Sequence, residues 1–452
     1  MRLARIEVEA TSGAGSNQRS MRSRIGIKAK AAAGVIAGLV AVAGCGNTYR
    51  PVVTAINPVG PAAQPQKYAL AISDPGNGNP GIVTIVDFSG DTVLITANVG
   101  VSPYFFWLNA AGTTGYTLNG DGTMTSFDVS NSLQTRDMIS TTLLSSARPN
   151  SIFADATSVY ITEAGRGAVA QLTGTPPALK QELTIPSGFS PVYLAATSGA
   201  PRQYVISQST GGDNGVVSAI DTASSTISGM PIPVGKGPVY GVMTPDGKRA
   251  FILNKTDGTL TVLNAQANTL DAIPAPAVNP ISVGANPIWA DLVTTKNELV
   301  VANAGDGTSK GSVSIINIPL CSAAALPGNP NCDATNPIDA AGFGQVLATV
   351  PVGVNPQMVA VLQDGSRAYV VNQADSTVSV VNLTSNTVTA TIPVPSTVHP
   401  NFIAAINGTP TGKIYVTSPE SSNMTIIRTD TDVVETTIPL QGKAIQVRAQ
   451  RP

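Results

Sequence analysis

Residues 369–394 read "YVVNQADSTVSVVNLTSNTVTATIPV". Three apolar stretches are separated by two polar turns. The first, entered through Ala368, is continuously apolar, as expected of a strand covered on both faces. The last alternates, with Val388, Ala390 and Ile392 on one side and Thr387, Thr389 and Thr391 on the other. Such alternation suits a strand with one wet face. Upstream, Met358–Leu362 and the turn "QDGSR" complete a unit of four short strands.

The unit recurs. A turn ending in proline precedes each copy: "GVSP" (100–103), "SARP" (146–149), "GFSP" (188–191), "GKGP" (235–238), "GANP" (284–287), "GVNP" (353–356) and "TVHP" (397–400). Residues 239–264 repeat the pattern as "VYGVM", "TPDGKR", "AFILN", "KTDG" and "TLTVLN". Asp-Gly between apolar runs marks a hairpin, because glycine reaches positive φ without steric cost. Third strands fall at Ile82–Asp87, Thr123–Asp128, Ala168–Leu172, Val216–Ile220, Thr259–Leu263, Ser312–Ile316, Thr377–Val381 and Met424–Ile427.

A four-stranded antiparallel sheet with inner strands apolar on both faces must be covered by copies of itself. Radial stacking does this and leaves only short, protected edges. The expected fold is therefore an all-β propeller over residues 67–452 with eight blades, or seven if one unit is degenerate. The unit starting at Lys67 lacks an innermost strand, and Ala444–Ala449 is expected to supply it and close the ring. At this point "AYVVNQADSTVSVVNLTSNTVTATIPVP" resembles the YVTN-family β-propeller repeat of bacterial and archaeal surface proteins. The echo runs along nearly all of the chain after Lys67 and is weakest between Tyr104 and Pro191. It implies a fold and leaves function open.

Composition agrees: 42% of the 452 residues are hydrophobic and only 12% are charged, with 43 Gly and 34 Pro. The first 44 residues carry seven basic and two acidic side chains, which leaves 19 basic against 25 acidic ones in the remainder. A mildly acidic body has no footprint for nucleic acid.

"MRSRIGIKAKAAAGVIAGLVAVAGC" (21–45) has a basic start, an apolar run from Ala31 to Ala43 and a terminal cysteine. This is the pattern of an export signal, too short for a stable membrane span. Val42-Ala43-Gly44-Cys45 resembles the bacterial lipobox, which implies cleavage before Cys45 and diacylglycerol attachment to its sulfur, with palmitate among the acyl chains. Residues 1–44 are thus a leader with signal peptide, and translation is expected to begin at Met21. Residues 45–66, rich in Pro, Gln and Asn, read as a lipidated tether. An insert at 319–345 carries Cys321 and Cys332, for which a disulfide is expected in an oxidising envelope. With one histidine in the chain, metal is not expected.

Loops joining the fourth strand to the next blade share a face with those joining strands two and three. That face is expected to gather Arg148, Glu163, Arg166, Asp213, Lys236, Lys255, Asp257, Asp306, Lys310 and His399, as a ligand-binding rim or as solvated turns. His399 occupies the place held by Gly or Asn in "GKGP" and "GVNP", which argues for a turn residue rather than a general base. No GxSxG turn accompanies it. Asn254, Asn303 and Asn372, at the ends of second strands, are expected to bond their own turns. No catalytic residue and no cofactor is assigned.

The expectation for function is a monomeric lipoprotein on the outer face of a bacterial membrane, periplasmic or at the cell surface, and anchored there by its lipid. Its propeller is read as a non-catalytic platform for envelope protein or polysaccharide. A lactonase-like or quinoprotein-like propeller enzyme and a structural surface-layer component are the alternatives.

Overall fold

The computed structural model describes residues 67–319, 342–408 and 411–450. Cys45, Met21, the tether, Cys321 and Cys332 lie outside these residues. The described chain is strand after strand, with one short 3-10 turn at Thr135–Asp137 and no helix long and apolar enough to cross a membrane.

Eight antiparallel sheets follow one another, as the repeat implies. The seventh blade holds the stretch quoted first: Pro356–Val361 innermost, then Arg367–Asn372, Thr377–Asn382 and Thr387–Pro393 outermost. Pairing in register sets Tyr369 opposite Val380. The second and third strands are buried along nearly their whole length, whereas the outer strand alternates exposed and half-buried. The continuous and alternating patterns in the sequence thus report position within the blade.

The first blade is built from both ends of the propeller. Tyr68–Asp74 pairs antiparallel with Lys443–Ala449, setting Leu70 opposite Arg448. The Gln446 side chain then accepts a hydrogen bond from the Phe106 amide at 2.8 Å, tying the closing strand to the second blade. The expected closure by Ala444–Ala449 is thereby met.

Apolar side chains gather into eight clusters, each straddling two neighbouring blades. The cluster across the closure joins Ala69, Ala71 and Val86 to Ile406, Tyr415 and Met424. Each fully buried Leu, Ile or Val contributes about 1.5–3 kcal/mol, so a blade removed from its neighbours would lose most of its stability.

Two blades have irregular outer strands. In the fifth, Thr269–Leu270 and Ile281–Ser282 are short fragments. Between them the Asn279 side chain imitates a strand: its Oδ1 accepts from Val262 N at 3.0 Å and its Nδ2 donates to Val262 O at 2.7 Å. In the second blade the outer strand, Ile139–Thr142, pairs only with Thr123–Ser126 and stops short of Phe127 and Asp128.

The second-strand asparagines differ from expectation. Asn372 does not cap its own turn; it is fully buried, and its Nδ2 donates to Thr377 Oγ1 at 3.0 Å and Ser379 Oγ at 2.9 Å on the third strand. Asn119, Asn254 and Asn303 make the same pair of bonds to Thr123 and Thr125, Thr259 and Thr261, and Ser312 and Ser314. One amide thus satisfies two hydroxyls that a buried sheet would otherwise strand. The glycine three residues before the proline of these four blades follows from this. A Cβ on Gly353 would sit 2.5 Å from the Asn372 side chain, and one on Gly284 2.6 Å from that of Asn303.

Candidate functional site

The loop face is real but largely architectural. Turns into each blade bond to the loop joining its second and third strands, as in Gln373 N to Asn355 O at 3.0 Å and Lys255 N to Gly237 O at 2.9 Å. Nine of the ten rim residues are exposed and Glu163 alone is buried. Asp257 uses Oδ2 to accept the Lys236 amide at 2.7 Å, a role that Asp121 and Asp375 repeat in other blades. Asp306 caps its own turn through the amides of Thr308 and Ser309, which hold its carboxyl down at about 2. His399 has a positive φ of 49°, and Ser102, Arg148, Asn286 and Asn355 are likewise positive at the same place before proline. Its Nδ1 lies 2.6 Å from Glu420 Oε2, and both side chains are exposed. The turn equivalence read from the sequence accounts for its position. Asp257, Asp306 and His399 thus each bond within or beside their own turn.

Glu163 departs from its repeat, as Ser207 opposite Pro191 also does. Glu163 stands opposite Pro149 where four other blades place asparagine opposite proline. Across the sheet, Ala168 and Ala170 replace the two hydroxyl residues. Its carboxyl oxygens are buried without a hydrogen-bond donor, and Arg166 Nε stays 3.8 Å away, engaged with Glu182 at 2.5 Å. Burial pushes the Glu163 carboxyl up to about 7, Glu182 adds to the rise and Arg166 opposes it. A neutral acid beside a carboxylate has the form of an acid–base pair. With its side chain 1% exposed, however, no substrate reaches it, and it acts on stability instead.

The opposite face, formed by turns between strands one and two and strands three and four, holds a cavity of about 580 Å3 between the second and third blades. That volume lies within the roughly 300–1,000 Å3 typical of small-molecule sites. It lies where the second blade's outer strand ends early and the chain from 129 to 138 packs toward the first blade, with Leu133 in the shared core and Thr135 Oγ1 accepting from Asn98 N at 3.2 Å. Asp128, Asp137 and Asp155 reach its wall, with Tyr116, Ser126 and Ser158 between them. Ile139 and Pro177, half-buried, supply apolar surface, with Phe127, Leu133 and Val159 buried behind it, and no lysine, arginine, histidine or cysteine lines it. Tyr116 leans against Trp107, with ring centroids 5.9 Å apart. Burial, then the charges of Asp128 and Asp155, raise the Tyr116 pKa, so its hydroxyl stays protonated and able to donate. Among the described residues, no three acidic, histidine or cysteine side chains are grouped to hold one metal ion.

None of these cavity residues stood out in the sequence. The available signal was indirect, since the cavity lies within the region where the repeat is weakest.

No family model and no curated protein matches the chain. Solved structures share its fold. Apo AztD from Citrobacter koseri superposes with a TM-score of 0.56 at 11% identity, covering 85% of this chain and 97% of that one. The dihydro-heme d1 dehydrogenase NirN, in complex with DHE, gives 0.58 at 12% identity over 86% and 76%. A candidate 6-phosphogluconolactonase from Bacteroides fragilis gives 0.50 at 14% identity over 86% and 99%. At these identities the likeness is one of fold alone.

Proposed function

We propose that this chain is an extracytoplasmic lipoprotein, held to the outer face of a bacterial membrane through lipid on Cys45, whose propeller binds envelope polysaccharide or protein without turning it over. The observation that supports this reading best is the cavity between the second and third blades. It has the volume of a ligand site and a wall of fixed carboxylates, hydroxyls and one phenol, while its lining offers no thiol or imidazole to serve a nucleophile. Stacked blades hold such a wall rigid before a ligand arrives, which lowers the ordering cost of binding. The exposed rim on the other face, with its backbone-bonded turns, suits a broad contact with a partner.

The test uses the full chain with its own leader, extracted in detergent. Lipid labelling that disappears in Cys45→Ser, together with retention of envelope polysaccharide or an envelope protein on the immobilised chain, is the expected result. Catalytic turnover of a lactone or other small substrate, with no retained envelope component, would overturn the reading.

A further inference from the structure

Tyr116, Tyr160, Tyr204 and Tyr369 each lie on a second strand, three residues before the residue paired with the blade's proline. Tyr160 accepts from Gln171 Nε2 at 3.3 Å within its own blade, whereas Tyr204 and Tyr369 fasten neighbouring blades. Tyr204 donates to Asn268 Oδ1 at 3.2 Å, and Tyr369 donates to Asp432 Oδ1 at 2.6 Å. Both acceptors sit in the turn between the third and outer strands of the following blade. Tyr116 holds the same place, three residues before Asn119. The turn it faces in the third blade reads "TGTPPA" (173–178) and carries neither amide nor carboxylate. Among the described residues nothing hydrogen-bonds the Tyr116 hydroxyl, which opens on the cavity instead.

Asp128 departs from its repeat in the same spot. At the end of the third strands of the first, fourth, fifth and seventh blades the residue caps its own turn. Asp221 accepts from Ser224 N at 2.9 Å, and Asn382 accepts from Thr384 N at 2.8 Å. Asp128 caps no amide, and its contact is with Thr114 Oγ1 at 3.4 Å. Asp155 spends Oδ1 on the amides of Thr157 and Ser158, both at 2.8 Å, and leaves Oδ2 for the cavity. Ser126 is 4% exposed and lines the same wall, with no hydrogen bond to its hydroxyl among the described residues. Two side chains that elsewhere serve the scaffold are thus released from it at one cavity, next to a buried hydroxyl without a partner.

We infer that this cavity is a subsite for a neutral, polyhydroxylated ring, a sugar unit, in which Tyr116 and Asp128 give the ligand the hydrogen bonds that their counterparts give the protein. The inference rests on the binding function proposed above and names the ligand class for it. Carboxylate oxygens accept from adjacent sugar hydroxyls, while the protonated phenol donates to a hydroxyl or ring oxygen. The ring of Tyr116 with Ile139 and Pro177, all half-buried, meets the sugar's C–H faces. Three carboxylates without a lining cation repel anionic ligands, so phosphorylated and uronic sugars are selected against.

Titration calorimetry of the full chain with cellotriose, chitotriose, trigalacturonate and spermidine tests this. A neutral trisaccharide is expected to bind, with trigalacturonate at least about tenfold weaker. Tyr116→Phe keeps the ring against Trp107 and removes only the hydroxyl. Asp128→Asn and Asp155→Asn keep a carbonyl oxygen for Thr114 and for the turn amides. Each should weaken the neutral sugar about tenfold, the worth of one buried hydrogen bond to a charged or well-placed group, at unchanged melting temperature. Equal binding by all three variants, or binding of spermidine alone, would overturn the subsite. If none of the four probes binds while the chain still retains envelope material, the subsite fails and the binding function stands. A chain that binds nothing in either assay removes both.

Discussion

Glu163 shows what one residue can do against its repeat. The unfolded carboxyl gives up its proton near 4.5, whereas in the fold burial and Glu182 hold it to about 7. The stability that the neutral acid contributes is therefore complete below pH 4.5 and is lost as pH rises through 7. The loss amounts to up to about 3 kcal/mol. Urea denaturation should find the wild type less stable at pH 8 than at pH 5, and Glu163→Gln should flatten that difference. A wild type equally stable at both values would contradict the assignment. In the fifth blade, Arg249 and Asp271 form an ion pair at 2.5 Å with side chains 2% and 5% exposed. Arg249→Met leaves a buried carboxylate alone and should cost about 3–5 kcal/mol, much of which Arg249→Met with Asp271→Leu recovers. Denaturant midpoints of the two variants check this. At this scale the sequence was only partly legible. His399 was read as a turn residue from its place before proline. The asparagine clips were misread, although Asn372 followed by Thr377 and Ser379 recurs as Asn254 with Thr259 and Thr261. Only the cross-strand register turns that spacing into a contact.

Strands were legible because burial acts on them with a period. Continuous apolar runs marked the inner strands and alternation the outer ones, and the third strands fell within the observed ones. What periodicity cannot express is a strand that ends early. The second blade's Ile139–Thr142 and the fifth blade's fragments break the pattern for opposite purposes. Asn279 mends the fifth, whereas the second is left open and becomes a cavity. Local rules fail where a site is built. The closing strand holds the two ends of the propeller together. A chain ending at Gly442 would expose Tyr68–Asp74 as an unpaired edge and strip Ala444 and Val447 from the cluster at the closure. Such a truncation should aggregate and melt well below the full chain in calorimetry. An unchanged, monomeric melting transition would contradict the role given to this strand.

For the whole molecule, ring closure follows from the impossibility of exposing sheets that are apolar on both faces. Eight interfaces with eight apolar clusters are the outcome. The ring also explains why function was the hardest part to read. Each interface is made by segments of two units, and a vacancy between them, such as that beside Tyr116, exists only after the blades are stacked. A crystal structure of the protein grown with chitotriose is the most direct measurement. The account predicts a sugar ring between the second and third blades, with hydroxyls in hydrogen-bond reach of Tyr116 and Asp128. An empty cavity in a crystal that holds the sugar elsewhere on the propeller would contradict it.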